Sequence, residues 1–328
     1  MEQALYHPEH GYYSSGRCAI GRKGDYFTNV SVGPLFGQLM TAQFAETWEQ
    51  LGKIDNFVIV EQGAHDGQFA RDVLESAKSR TPEFFEALDY RIIEPFPILR
   101  ERQSQMLEPF RTKIEWRNSL DPFTGVHFSN ELLDAMPVRL ISGNTEKLVG
   151  LQGDRFVFIK RPVSSSAFNH AALDWIDNLA ANLKRGYVIA IDYGNSGGEF
   201  QGDVQVRAQH RHLDSPFEQI GHADITMPVD WTSIAGRAEA NGLAIGGFTD
   251  QHHFLTGIIS ELADCNQSSV VESPKAKRAL QTLLHPEMLG RAFQVLALAK
   301  NVDPTAPPPA GFKFAREPHS VLGLGNPN

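Results

Sequence analysis

The amino-acid sequence predicts a doubly wound α/β fold, a mostly parallel sheet of seven strands with helices on both faces. Three observations carry that prediction. Short apolar runs alternate with helix-period segments along most of the 328 residues, the pattern of a sheet built through helical crossovers. One run, Val58-Ile59-Val60-Glu61, enters a tight glycine turn and then a helical pattern, as the strand at a ligand-binding switch point does. Residues 138–160 break the alternation, because Ser142-Gly143-Asn144 and Gly153-Asp154 place turns too close together for intervening helices.

Taken in order, the first 55 residues precede any strand and are expected to form a largely helical cover over the carboxyl edge of the sheet. Within them Ser31 is placed to cap a helix with Pro34 in its first turn, and Gly52 to end it after Leu51. Strands are then expected at Phe57–Val60, Tyr90–Glu94, Lys113–Trp116, Val126–Ser129, Tyr187–Asp192, Ala244–Phe248 and Phe293–Ala299. Thr81-Pro82-Glu83 supplies a cap, a first-turn proline and an acid at the positive end of a helix. The 138–160 stretch reads as an antiparallel meander, part of an insertion around 138–170 before the fifth strand. Residues 56–301 thus hold the sheet. From 302 onward the proline-rich run Pro304-Thr305-Ala306-Pro307-Pro308-Pro309 reads as a flexible tail or surface arm.

Composition excludes several classes of function. Thirty Lys and Arg against 39 Asp and Glu give a net charge of −9, the wrong sign for non-specific nucleic-acid binding. Two cysteines, Cys18 and Cys265, exclude a disulfide scaffold and a Cys-rich zinc module. No apolar run approaches the roughly 18 residues of a membrane span. The N-terminus lacks the basic start and apolar stretch of a signal peptide, so a cytoplasmic location is the expectation. His210, His212, His222, His252 and His253 follow no HExxH spacing, and no metal is expected. Neither a G-x-S-x-G elbow nor a G-x-x-x-x-G-K-[ST] phosphate loop occurs.

The chemistry concentrates at strand ends. The turn Glu61-Gln62-Gly63-Ala64-His65-Asp66-Gly67 has two glycines, not the three of a dinucleotide fingerprint. Glu61 at the strand end repels a pyrophosphate and attracts a cation, which suits the sulfonium and ammonium of S-adenosylmethionine. A plain strand–turn–helix is the bland alternative. Glu94 ends the next strand, where a carboxylate can accept from both ribose hydroxyls of an adenosine; this serves a nicotinamide cofactor equally well. At the fourth strand, Asn130-Glu131 followed by Asp134 places polar groups where a substrate meets a cofactor, although Asp134 suits a helix cap nearly as well. Asp192, in Ile191-Asp192-Tyr193-Gly194, is a further strand-end acid.

In order, these motifs resemble the MidA-like methyltransferase family, which includes a mitochondrial complex I assembly factor that methylates an arginine. The resemblance spans roughly residues 5–299. It rests on Leu5-Tyr6-His7-Pro8-Glu9-His10-Gly11-Tyr12-Tyr13, Gly24-Asp25-Tyr26-Phe27-Thr28, Asn130-Glu131-Leu132-Leu133-Asp134-Ala135-Met136-Pro137-Val138, Ile191-Asp192-Tyr193-Gly194 and Gly221-His222-Ala223-Asp224-Ile225-Thr226. His65 stands where the family's glycine turn has its middle glycine. The resemblance implies a class I methyltransferase sheet with S-adenosylmethionine as cofactor. In that reading Glu61, Gly63 and Gly67 hold the methionine part, Glu94 the ribose, the loop Asn118-Ser119-Leu120 the adenine, and Thr28 closes the site. It also implies a protein acceptor, such as an arginine of a respiratory complex I subunit, oriented by Asn130, Glu131 and Asp134. A homodimer is left open. The rival readings are a non-catalytic assembly protein that keeps the adenosine pocket and a nicotinamide oxidoreductase, which the missing glycine and Glu61 disfavour.

Overall fold

A computed structural model of the chain describes residues 1–18, 28–163, 168–200, 202–265 and 273–325. All seven expected core strands form. They are β1 (Phe57–Gln62), β2 (Leu88–Ile93), β3 (Ile114–Arg117), β4 (Phe123–Asn130), β5 (Leu183–Asn195), β6 (Ala244–Asp250) and β7 (Phe293–Lys300). The sheet order is β6-β7-β5-β4-β1-β2-β3. β7 runs antiparallel to both β5 and β6, while the other pairs are parallel. The chain thus leaves β1 for β2 on one side and returns to β4 on the other. That reversal opens a crevice at the carboxyl ends of β1 and β4.

The longer helices are α1 (Leu35–Gln50), α2 (Gln68–Arg80), α3 (Pro97–Met106), α4 (His170–Asn182), α5 (Trp231–Ala240), α6 (Gln251–Asp264) and α7 (Pro274–Leu284). The two-residue period of the strands sorts side chains between two cores. Phe57 and Ile59 pack with Phe44, Phe69 and Phe254, under α1, α2 and α6. Val58 and Val60 pack with Ile176, Leu179 and Ile234, under α4 and α5. The meander also forms, from Leu140–Ser142, Thr145–Gln152 and Arg155–Pro162. Gly143 and Gly153 turn it at positive φ, +56° and +59°, which glycine adopts without steric cost.

Four expectations change. Ser31 does not cap α1. It lies in a short 3-10 turn, Val30–Val32, and its hydroxyl bonds the backbone of Thr28 on both sides, donating to its carbonyl at 2.8 Å and accepting its N–H at 3.0 Å. The first 55 residues are not one cover, since α1 packs on a face of the sheet and residues 1–18 lie over its edge. The Gly24–Phe27 motif falls outside the described residues. A second insertion follows β5: Gln205–Ala208, Arg211–His212 and Asp224–Thr226 form a small antiparallel sheet. Its Val206 and Ile225 pack on Leu5 and Tyr12 of the N-terminal segment. Finally, the tail is no loose arm. Phe312 and Leu322 are buried, the Ala310 N–H donates to the Glu46 carboxylate at 2.9 and 3.0 Å, and the Gly311 N–H donates to Gln43 Oε1 at 2.8 Å. Proline content stiffens the run but says nothing of the apolar residues beyond it.

Candidate active site

A cavity of about 470 Å³ opens at the carboxyl ends of β1, β2 and β4, a size typical of small-molecule sites. Of the residues expected there, Thr28, Glu61, Gly63, Glu94, Asn130 and Glu131 all border it. Gly67 stands just behind, at φ +85°, as the residue that starts α2. Ser119 and Leu120 are not among the bordering residues; Asn118 is. Leu120 instead packs against the core under α4. Asp134 lies beneath Glu131 in the interior, 5% exposed. Among the described residues no three His, Cys, Asp or Glu side chains converge as a metal site would need.

Glu61 ends the buried part of β1 and accepts a hydrogen bond from the Tyr90 hydroxyl at 2.7 Å. Burial outweighs that bond and pushes its carboxyl up to about 8. Glu94 follows β2. Its Oε1 accepts the Phe96 N–H at 3.0 Å and its Oε2 accepts Gln103 Nε2 at 3.1 Å. The same Gln103 amide donates to the His65 carbonyl at 2.9 Å, and its oxygen accepts from the Trp116 indole at 2.9 Å. Fully buried Gln103 therefore ties the glycine turn to the β2 acid. Nothing in its sequence context marked it.

At the end of β4, Glu131 holds a left-handed backbone, φ +54°, rare for a residue with a side chain and common at functional sites. Its N–H donates to the Ile191 carbonyl at 2.9 Å. Asn130 Nδ2 donates to Glu131 Oε1 at 2.9 Å, and Asn29 Nδ2 donates to Asn130 Oδ1 at 2.8 Å. Burial, then the charge of Asp134, raises the Glu131 carboxyl to about 8. Asp192 does not reach the cavity. Its carboxylate accepts the N–H groups of Leu133 at 2.9 Å, Asp134 at 3.2 Å and Tyr193 at 2.9 Å, and so fixes the 131–135 turn. Burial and neighbouring carboxylates hold both Asp134 and Asp192 above the usual range. Gly194 has to be glycine, because a Cβ there would sit 2.1 Å from the Val229 carbonyl oxygen.

The N-terminal segment closes the cavity from above. The Tyr6 hydroxyl donates to the Ala135 carbonyl at 3.0 Å, and the Tyr13 hydroxyl donates to Asp224 Oδ1 at 2.6 Å. The two rings stack at 5.7 Å and both border the cavity. Two motifs far apart in the chain are thereby joined across the site. Glu131 on the cavity wall and, behind it, Asp134 and Asp192 are buried carboxyls that make no ion pair among the described residues. Buried acids raised in this way favour a cationic ligand, whose charge would restore their ionisation. Asn29 Oδ1, fully buried and without a hydrogen-bond partner, is a further acceptor at this end.

A family of S-adenosyl-L-methionine-dependent methyltransferases matches residues 39–249. The mitochondrial protein arginine methyltransferase NDUFAF7 homolog of Drosophila melanogaster is 26% identical over 92% of this chain and 80% of its own length. Its Homo sapiens counterpart is 24% identical over 91% and 78%. A crystal structure from Burkholderia thailandensis, bound to S-adenosyl-homocysteine, superposes with a TM-score of 0.85 at 27% identity, covering 98% of this chain and 90% of that one.

Proposed function

We propose, from the premise that this chain belongs to the S-adenosyl-L-methionine-dependent methyltransferase family, that the acceptor is an arginine side chain of a protein. The observation that carries the proposal is Glu131, a buried acid without a cationic partner among the described residues, held in a left-handed conformation on the cavity wall with further carboxyls behind it. The names of the curated relatives point the same way. Family resemblance adds a respiratory complex I subunit as the candidate acceptor.

The residues present suit the cofactor. Its size matches the cavity, and its cationic groups match acids that burial has raised. Glu61 and the Gly63 turn would hold the methionine part, Glu94 the ribose, and Asn118, which borders the cavity, would meet the adenine. When bound, S-adenosyl-L-methionine supplies an electrophilic methyl group on a sulfonium. The protein's own contribution is alignment, which can be worth roughly 7–11 kcal/mol when geometry is good. Glu131 accepts the guanidinium N–H groups and turns one nitrogen toward the methyl. Each methyl placed on a guanidinium nitrogen displaces one proton, and the Glu131 carboxylate, ionised by the cation beside it, is placed to receive it. Asp134 and Asp192 keep that carboxyl in place.

Incubating the protein with cofactor and an arginine-containing acceptor peptide, followed by mass spectrometry, tests the reading. Methylation of the arginine peptide and none of its lysine counterpart is the expected result. Equal methylation of both would show that these carboxyls select charge alone.

A further inference from the structure

Asn118 follows the last residue of β3 and borders the cavity. Arg100, on α3, reaches two loops of the cavity mouth at once. Its Nε donates to the Glu94 carbonyl at 2.6 Å, and its Nη2 donates to Asn118 Oδ1 at 2.6 Å. A guanidinium has five N–H donors and no acceptor. The amide atom that faces Arg100 therefore has to be the oxygen, because an amide turned the other way would set donor against donor. The bond is charge-assisted, so it holds that orientation firmly. Asn118 Nδ2 makes no hydrogen bond among the described residues. The side chain is exposed, so solvent satisfies those two donors and a ligand can take its place.

An adenine offers two kinds of hydrogen-bonding group along its edges. Its ring nitrogens accept, and its 6-amino group donates. A side-chain oxygen at this position would read the amino group, whereas an amide nitrogen held forward can read only a ring nitrogen. We propose that Asn118 donates to a ring nitrogen of the adenine, and that Arg100 is the positioning residue that denies it the amino group. The same guanidinium holds the backbone of Glu94, so one side chain sets the reader of the base against the acid of the ribose. The inference rests on the placement of the adenine beside Asn118 proposed above and holds whatever the acceptor.

Calorimetry tests it without any turnover. The ligands are S-adenosyl-homocysteine, its 1-deaza, 3-deaza and 7-deaza analogues, and a 6-deamino analogue with hydrogen in place of the amino group. The proteins are wild type, Asn118→Ala and Arg100→Met. A neutral hydrogen bond corresponds to roughly 2- to 12-fold in affinity. One deaza analogue should bind wild type about 3- to 10-fold more weakly than the parent, and that loss should vanish in Asn118→Ala. Removing the amino group should cost these two proteins equally. In Arg100→Met the amide is free to turn, so part of the discrimination should pass from the ring nitrogen to the amino group. A uniform loss for every ligand in that variant would overturn the positioning role of Arg100. Coupling of Asn118 to the amino group in wild type would overturn the assignment while keeping the adenine beside it. Coupling to no atom of the base would overturn both.

Discussion

Glu94→Ala offers the most complete numerical test of the cofactor site. The Glu94 N–H donates to the Arg117 carbonyl at 2.9 Å, which fixes the backbone beyond β2. Its two carboxylate oxygens each accept one protein hydrogen bond, from Phe96 and from Gln103. Each oxygen keeps about one lone pair for a ligand, and the residue is only 4% exposed. Two ribose hydroxyls would use both. Hydrogen bonds to a charged group contribute roughly 1.5–3 kcal/mol each, and water entering the truncated site recovers part of that. A net loss of about 1.4–4 kcal/mol means about 10- to 1000-fold weaker S-adenosyl-homocysteine. The substitution also strands the Gln103 amide and the Phe96 N–H, which costs roughly 1–3 kcal/mol of stability for each. Thermal unfolding must therefore accompany the calorimetry. Against a 2′,3′-dideoxy analogue the affinity loss should nearly vanish, because that ligand never made the contact. A coupling energy near zero between residue and hydroxyls would refute the placement of the ribose.

The other expectations follow from the buried acids and the tail. Glu131→Gln should lower methyl transfer by about 100-fold or more, the range of a general base, while cofactor affinity measured by calorimetry changes less than threefold; parallel losses would assign Glu131 to the cofactor. Burial raises Glu61 and Glu131 from 4.5 to about 8, and His65 is raised from 6.5 to about 10. The ligand-free folded state therefore binds more protons than the unfolded chain between pH 6.5 and 8, and stability falls as pH rises through that window. Below 6.5 the fully buried His127, lowered to about 3, opposes the trend. A melting temperature that climbs from pH 6.5 to 8 would contradict these environments. Deleting residues 302–325 exposes the sites of Phe312 and Leu322, worth roughly 1.5–3 kcal/mol each, and removes the backbone donors that Ala310 and Gly311 give to Glu46 and Gln43. Differential scanning calorimetry should show a midpoint lower by on the order of 10 °C, and an unchanged midpoint would mean that the tail is dispensable.

What the sequence discloses follows from which physical signals are local. The central strands are legible because a buried parallel strand needs an unbroken apolar run, as Val58–Val60 and Val188–Ile191 supply, whereas the edge strand β3 shows only a two-residue alternation. Glu61, Glu94 and Glu131 are legible because each interrupts such a run at its carboxyl end, where an α/β sheet binds ligands. Tyr90 could have been found as well, since it lies on the strand paired beside β1 and alternation buries it. Gln103 could not, because a helical glutamine signals nothing until the fold brings Glu94, His65 and Trp116 around it. The sheet of 205–226 escaped because its strands have two to four residues, too few for a period to register. Of the adenine loop Asn118-Ser119-Leu120, Asn118 borders the cavity and the other two do not, a difference of one and two positions that lies below what element boundaries resolve.

The hydrogen bonds from Ala310 to Glu46 and from Gly311 to Gln43 link positions 264 and 268 residues apart. During synthesis at about 5–20 residues per second, that separation corresponds to roughly 13–50 s between the emergence of α1 and of its last partners. Through that interval the nascent chain carries a helix whose Gln43 and Glu46 lack these partners, beside Phe254, whose ring ends 5.2 Å from that of Phe312. Strands β1 to β5 can pair as they emerge and β6 only once β7 follows, but this layer closes only when the proline-rich segment has passed. Ribosome-bound intermediates stalled before residue 310 should therefore be protease-sensitive along α1 and α6, and release of the tail is the event that turns a loosely assembled sheet into a cooperative unit.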